Sequence, residues 1–316
     1  MKNIKIATAQ FENRSGDKEY NLSVIDRMSK KAAEEGADAI AFHECSITGY
    51  SFARKLSKEQ MFELSEFVPD GPSVHRLQSI AEKNKIAILA GLFEKDESDR
   101  IYKPYVCVDR TGMIAKHRKL HPFINENILP GSSYTVFDLC GWRAGILICY
   151  DNNIIENVRA TKLLGADILF MPHVTMCTPS TRPGAGFVDP ALWENRVKDP
   201  EALRKEFDGL KGRAWLMKWL PARAYDNALY TVFSNPIGMD GDQLKNGCSM
   251  ILDPYGDILA ECRSFDDEFV MATLEPDKLK LAGGYRYIKA RRPDLYRDII
   301  GKAHKPEQKV VWLEDA

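Results

Sequence analysis

What most limits the folds open to this chain is an alternation running from its first residues to about residue 275. Short apolar runs of β character are separated by stretches of helical period. Residues 5–10, 39–42, 86–93, 134–139, 145–149, 167–171, 230–235, 248–253, 258–262 and 269–274 read as strands, and 102–116 as a hairpin turning near 109–112. Between them the spacing predicts helices over 58–67, 73–84, 154–164 and 20–35, the last with Leu22, Ile25 and Ala32 on one face and Gly36 placed to end it. Asp199 and Pro200 open a further helix as N-cap and first-turn residue. Pro221 opens another, through residue 227, because proline fits a first turn but not a helix interior. Strands with interleaved helices define an α/β fold, and β-β runs near both ends of the pattern favour a mixed pair of sheets over one doubly wound sheet. No repeat or Pro/Gly/Ser-rich linker divides the pattern, so residues 1–280 are expected to form one domain, with the basic, aromatic tail 281–316 as an extended arm.

Charge narrows the function classes. Forty-four basic and forty-five acidic side chains leave a net charge of −1, so nothing attracts a polyanion and nucleic-acid binding is not expected. No apolar stretch approaches the length of a membrane span, and the start of the chain runs straight into a strand with no signal-type apolar region; the expected compartment is the cytoplasm. The seven cysteines are odd in number and include no CxxC pair, which argues against both a disulfide framework and a zinc ribbon. A reactive cysteine must therefore be argued from its neighbours.

Three segments close or follow predicted strands, where α/β sheets place reactive groups. Phe42-His43-Glu44-Cys45-Ser46-Ile47-Thr48-Gly49-Tyr50 puts a carboxylate at a strand end before a turn. His117-Arg118-Lys119-Leu120-His121-Pro122 puts a lysine in a basic cluster after the hairpin. Gly145-Ile146-Leu147-Ile148-Cys149-Tyr150-Asp151 ends an apolar run in a cysteine, with a helix to follow. Taken singly, such a cysteine is most often a buried apolar thiol, and a single Glu or Lys a solvated charge. Taken together they make a nucleophile. A thiol is mostly protonated at neutral pH, its ordinary pKa being about 8.5. A helix N-terminus and a lysine each lower that value, a glutamate carries the proton, and the lysine with a backbone N–H holds an oxyanion.

In order and context these segments resemble the glutamate, lysine and cysteine signatures of the nitrilase superfamily of carbon–nitrogen hydrolases. Glu156 matches a glutamate that often follows the cysteine, and Glu126, in Glu126-Asn127-Ile128-Leu129-Pro130-Gly131, a second glutamate ahead of a Pro-Gly. Ala222-Arg223-Ala224-Tyr225-Asp226-Asn227 and Asp253-Pro254-Tyr255-Gly256 are similar to later family segments, so the resemblance spans about residues 4–275. It implies a four-layer α-β-β-α sandwich, with Cys149 as nucleophile, Glu44 as general base and acid, and Lys119 with the Tyr150 N–H as oxyanion stabiliser. Glu126 would orient the substrate or the attacking water. No metal or organic cofactor is implied, and a homodimer or larger homo-oligomer is expected, with the arm at a subunit interface.

Departures from the family pattern bear on the substrate. Tyr150 stands where many true nitrilases carry tryptophan, and Asn152 and Asn153 where D-carbamoylases tend to carry carboxylate-holding arginines; Arg182 or Arg213 remain as other sources of that charge. His43 replaces a common proline, Ile155 another, and Asp226 a glutamate. A long insert at 176–218 has the position of a lid or specificity element. His173, Thr175 and Arg182 are candidate substrate contacts. His117 and His121 stand four apart but lack a third ligand, so a metal site is not expected. The expected activity is hydrolysis of a small amide or N-carbamoyl compound through a cysteine thioester, with a nitrilase, or a non-catalytic small-molecule-binding member, as the alternative.

Overall fold

The apolar runs become strands that sort into two sheets. The computed structural model describes residues 1–178, 183–303 and 305–306. In chain order the strands are β1 (Ile4–Gln10), β2 (Ala39–Ala41), β3 (Ala87–Gly91), the short pair β4 (Glu94–Lys95) and β5 (Ile101–Tyr102), β6 (Pro104–Asp109) and β7 (Gly112–Arg118). There follow β8 (Thr135–Leu139), β9 (Trp142–Ile146), β10 (Ile168–Pro172), β11 (Tyr230–Ser234), the hairpin β12 (Ile237–Asp240) and β13 (Gln243–Asn246), β14 (Met250–Leu252), β15 (Ile258–Glu261) and β16 (Glu268–Leu274). One six-stranded sheet runs β16-β1-β2-β3-β6-β7 and the other β15-β14-β11-β10-β9-β8. Both are mixed, with β1, β2 and β3 parallel in the first and β9, β10 and β11 parallel in the second.

Alternation along each strand builds the layers. Ile6 faces the space between the sheets while its neighbour Ala7 faces outward, as side chains of period two must. Ile6, Ala39, Leu89 and Tyr105 of the first sheet share one buried cluster with Trp142, Ile168, Tyr230 and Ile251 of the second. Helices Lys18–Glu34 and Pro72–Asn84 cover the outer face of the first sheet through Leu22, Ile25 and Leu77. Helices Ile155–Leu163, Pro200–Asp208 and Leu220–Tyr225 cover the second through Val158, Leu203 and Leu220. The result is the expected α-β-β-α sandwich, each fully buried Leu or Ile contributing about 1.5–3 kcal/mol of transfer free energy.

Three expectations change. The strand expected to run to Cys149 stops at Ile146, and Cys149 opens a 3-10 turn, Cys149–Asn153. Residues 237–246 form a hairpin that the periodicity did not reveal. The described part of the tail is not extended, because Tyr285, Arg286 and Tyr287 lie on a short helix, Gly283–Lys289, and a second, Pro293–Ile300, follows. Among the described residues no helix is long and apolar enough to cross a membrane.

Candidate active site

Glu44 is set by the turn that follows β2. Its neighbour Cys45 has φ of 52°, and the turn is folded tightly onto the end of β3: Ile47 N–H donates to the Gly91 carbonyl (3.0 Å) and Ser46 Oγ accepts from the Gly91 N–H (3.2 Å). Only glycine allows this approach, because a Cβ on Gly91 would stand 2.5 Å from the Cys45 nitrogen. Glu44 is buried, 1% exposed.

Two lysines meet it there. Lys119 Nζ donates to Glu44 Oε1 at 2.7 Å, and Lys103 Nζ stands 2.9 Å from the same oxygen. The hairpin β6–β7 explains the pairing. Pro104 faces Arg118 across the ladder, so Lys103 and Lys119 are opposed one step further on, joined by Lys119 N–H to the Lys103 carbonyl (3.0 Å). Like charges opposed across strands repel, and Glu44 supplies the anion that makes the juxtaposition tolerable. Lys103 Nζ also lies 4.3 Å from the centre of the Tyr50 ring. Burial alone would raise the Glu44 carboxyl, but Lys103 and Lys119 overcome it and hold the group down at about 2. Lys103 itself is lowered by burial, whereas Cys149, Glu44 and Asp151 carry Lys119 above the ordinary lysine range despite its burial. Glu44 Oε2 is buried and has no hydrogen-bond partner among the described residues.

Cys149 comes from the other sheet. β9 packs tightly against its covering helix, since a Cβ on Gly145 would lie 2.4 Å from Thr161 Cγ2, and three residues on the chain turns sharply. Cys149 has φ of 51°, a left-handed conformation that a non-glycine residue adopts at a cost and that recurs at functional sites. Its thiol faces the Val174 carbonyl at 3.9 Å. Burial pushes the thiol up to about 11; Lys119 and Lys103 pull it down and Glu44 pushes it up. The lysines act on the thiol in the expected direction, and desolvation of the thiolate outweighs them in the resting site.

Asp151 ties the two halves together. Its carboxylate accepts from the N–H groups of Ile148 (3.1 Å), Leu120 (3.2 Å) and His121 (2.9 Å), so one buried group holds both the cysteine turn and the segment that carries Lys119. Burial would raise this carboxyl, but the side chains of His117 and His121 and the charge of Lys119 hold it well below the usual range. His121 Nδ1 lies 3.0 Å from Asp151 Oδ1, whereas His117 Nε2 stands 3.7 Å from Oδ2 and its Nδ1 pairs with Thr135 at 3.1 Å.

The other candidates fall differently. Tyr150 is exposed beside Cys149, its ring against Phe123 and His121. Thr175 exchanges hydrogen bonds with Asn235. His173 is buried between Phe233 and Trp219 and bonds Asn152, whose amide also donates to the Cys149 carbonyl; it backs the cysteine turn. Glu126 is exposed, next to Asn125, which turns inward to donate to the carbonyls of Ala53 and Leu56. Arg213 is committed to Glu261 at 2.6 Å, and Arg182 lies outside the described residues. Lys103 escaped the sequence reading, because it stands opposite Lys119 only through a one-residue register shift in the hairpin, between Cys107 and Val108.

Comparison with known proteins places the chain among relatives. Residues 5–282 match the carbon-nitrogen hydrolase family. Among curated proteins, the chain is 28% identical over 275 residues to a nitrilase of Pyrococcus abyssi, covering 86% of this chain and 90% of the relative. It is 28% identical over 294 residues to an (R)-stereoselective amidase of a Pseudomonas species, covering 92% of each. It is 25% identical over 314 residues to the N-carbamoylputrescine amidase of Solanum lycopersicum, covering 94% of this chain and 95% of the relative. Among solved structures it superposes on a double mutant of the amidase from Nesterenkonia sp. AN1 in complex with acrylamide. That match has a TM-score of 0.69 at 22% identity and covers 94% of this chain and 97% of the other.

Proposed function

The chain belongs to the carbon-nitrogen hydrolase family, an enzyme acting on amides, and from that premise we propose that it cleaves small carboxamides through a thioester on Cys149. The observation that carries this reading is the buried Glu44, bound through Oε1 to Lys119 and Lys103 and left free at Oε2, within electrostatic reach of a partly buried cysteine on a left-handed turn.

Glu44 Oε2 takes the thiol proton as Cys149 Sγ bonds to the amide carbon. A proton acceptor in the same step is needed because the resting thiol is neutral. The carbonyl oxygen becomes an oxyanion held by Lys119 and the Tyr150 N–H. Protonated Glu44 returns its proton to the nitrogen, the C–N bond breaks, and ammonia or an amine departs. Water then loses a proton to Glu44 and attacks the thioester; the C–S bond breaks, Glu44 returns that proton to the departing thiolate, and the acid leaves with the thiol and the carboxylate restored. Names of relatives extend the substrate range to be tested to N-carbamoyl amines and nitriles.

The test is ammonia release from a panel of carboxamides, N-carbamoyl compounds and nitriles, with Cys149→Ala in parallel. We expect carboxamides to be the best group and release to fall at least about 10³-fold in the variant. Preference for nitriles overturns the amide reading. Release that survives in Cys149→Ala overturns the thioester.

A further inference from the structure

The hairpin β12–β13 buries a third lysine beside this site, and the mechanism above leaves it unused. Lys245 is fully buried, and among the described residues its ammonium forms no ion pair. Its hydrogen bond goes to a neutral acceptor, Gln243 Oε1, at 2.8 Å. Lys245 and Gln243 are two residues apart on one strand and so share a face. Gln243 Oε1 also lies 3.4 Å from Ser51 Oγ, while the other end of that amide, Nε2, is buried with no partner among the described residues.

Two sets of bonds fix where this hairpin stands. On one flank Asp240 accepts from the N–H groups of Tyr50 (3.1 Å) and Ser51 (2.9 Å), from the Ser51 hydroxyl (2.6 Å) and from Asn13 (3.2 Å). Tyr50 carries its ring over Lys103, which binds Glu44. On the other flank Asn246 Oδ1 accepts from Asn235 (3.4 Å), whose amide also reaches Thr175, the residue after the Val174 carbonyl that faces Cys149 Sγ. The strand bearing Lys245 therefore bridges the wall that holds Glu44 and the wall that holds Cys149. In keeping with this, Lys245 lies within electrostatic range of Cys149, and burial lowers its ammonium despite Asp240. Asp240, the acidic group that acts most on Lys245, is already taken up by its four donors. An ammonium removed from water without a counter-ion is costly, and here a free amide N–H₂ stands with it.

We propose that Lys245 and Gln243 receive a carboxylate carried by the substrate, so that the preferred substrates are carboxylic acids bearing a second, amidated carboxyl group. The assignment rests on the amidase reading above. One carboxylate oxygen pairs with Lys245 Nζ and the other accepts from Gln243 Nε2. The insert contributes to this wall: Gly212 closes over Asn246, and a Cβ there would meet the Phe207 carbonyl at 2.2 Å and Asn246 Nδ2 at 2.9 Å.

Succinamate and butyramide, which share chain length and differ in charge, test it. The unaltered chain is expected to favour succinamate in kcat/KM by roughly 10²-fold, and Lys245→Met to collapse that ratio to near one, the loss residing in KM. Lys245→Gln, which can keep a bond to Gln243 without the charge, serves as a second variant with the same expected collapse, and Lys245→Arg retains most of the preference. Dissociation constants for both amides in Cys149→Ala, with and without Lys245→Met, read the same contact without turnover. Cys149-dependent hydrolysis of butyramide with no preference for the acid, or a preference that persists in both neutral variants, overturns the assignment and leaves the amidase reading intact. Binding of succinamate that depends on Lys245 while neither amide is hydrolysed supports the assignment and overturns the amidase chemistry.

Discussion

A single carboxylate oxygen facing two ammonium groups is the sharpest local feature of the molecule. Glu44 with Lys103 and Lys119 carries one surplus positive charge in a dry place, which is poor for stability and good for receiving an anion. Lys103→Met removes the surplus and leaves a neutral Glu44–Lys119 pair. We expect the thermal midpoint at neutral pH to stay level or rise, instead of the loss of about 3–5 kcal/mol that follows breaking an ordinary buried pair. Glu44 also loses its strongest depressing charge, so the acid limb of the kcat/KM profile moves to higher pH by about one unit or more. A profile unchanged from the parent's would show that Lys103 does not act through Glu44. The sequence made Glu44, Lys119 and Cys149 visible because each stands at or just beyond the end of an expected strand and sits in a distinctive string. Lys103 stayed hidden because its role depends on a one-residue register: the ladder shifts between Cys107 and Val108, and counting from the turn without that bulge points to the wrong partner.

At the scale of elements, the cysteine turn and the lysine segment belong to different sheets, and Asp151 is the clasp between them. Asp151→Asn keeps the shape but gives up half the acceptor capacity, since one oxygen becomes a donor. Lys119 then loses its alignment with Cys149. The expected result is a kcat lowered by about 10²-fold with KM nearly unchanged, because small misplacement of reacting groups is expensive in rate and cheap in binding. Wild-type kcat in this variant would dismiss the clasp. The strand pattern was legible for nearly every strand of the two large sheets, since apolar runs such as β3 and β10 report burial directly. The hairpin β12–β13 was not legible, although Asp240-Gly241 is a turn signal: its strands are short, and its buried positions include Asp240, Gln243, Lys245 and Asn246, which polarity assigns to the surface. The tail helices were missed for the opposite reason. Helix Pro293–Ile300 is short, and its apolar Leu295, Ile299 and Ile300 are exposed, with none of its residues buried.

For the whole molecule, acid is the condition that tests the packing. His43, after β2, and His173, after β10, are both buried, and burial lowers each to about 3 despite the pull of Glu44. In the unfolded chain they bind protons near pH 6.5, so the unfolded state gains protons first and stability falls as pH drops below that value, levelling off near 3. Glu44, depressed to about 2, adds a further loss between roughly pH 4.5 and 2, in the same direction. Each histidine costs about 1.4 kcal/mol per pH unit in its window, so the thermal midpoint should descend steadily from pH 6.5 to 5. A flat midpoint over that range would mean the histidines titrate normally, against their burial.

Glu44, Lys103 and Lys119 hang from one sheet and Cys149 from the other. A chain in which only one sheet has formed holds either an idle carboxylate between two lysines or a lone protonated thiol, and neither half can attack anything. The candidate site is thus complete only while the two sheets are packed together, and a chain in which they have parted loses it without the change of a single side chain.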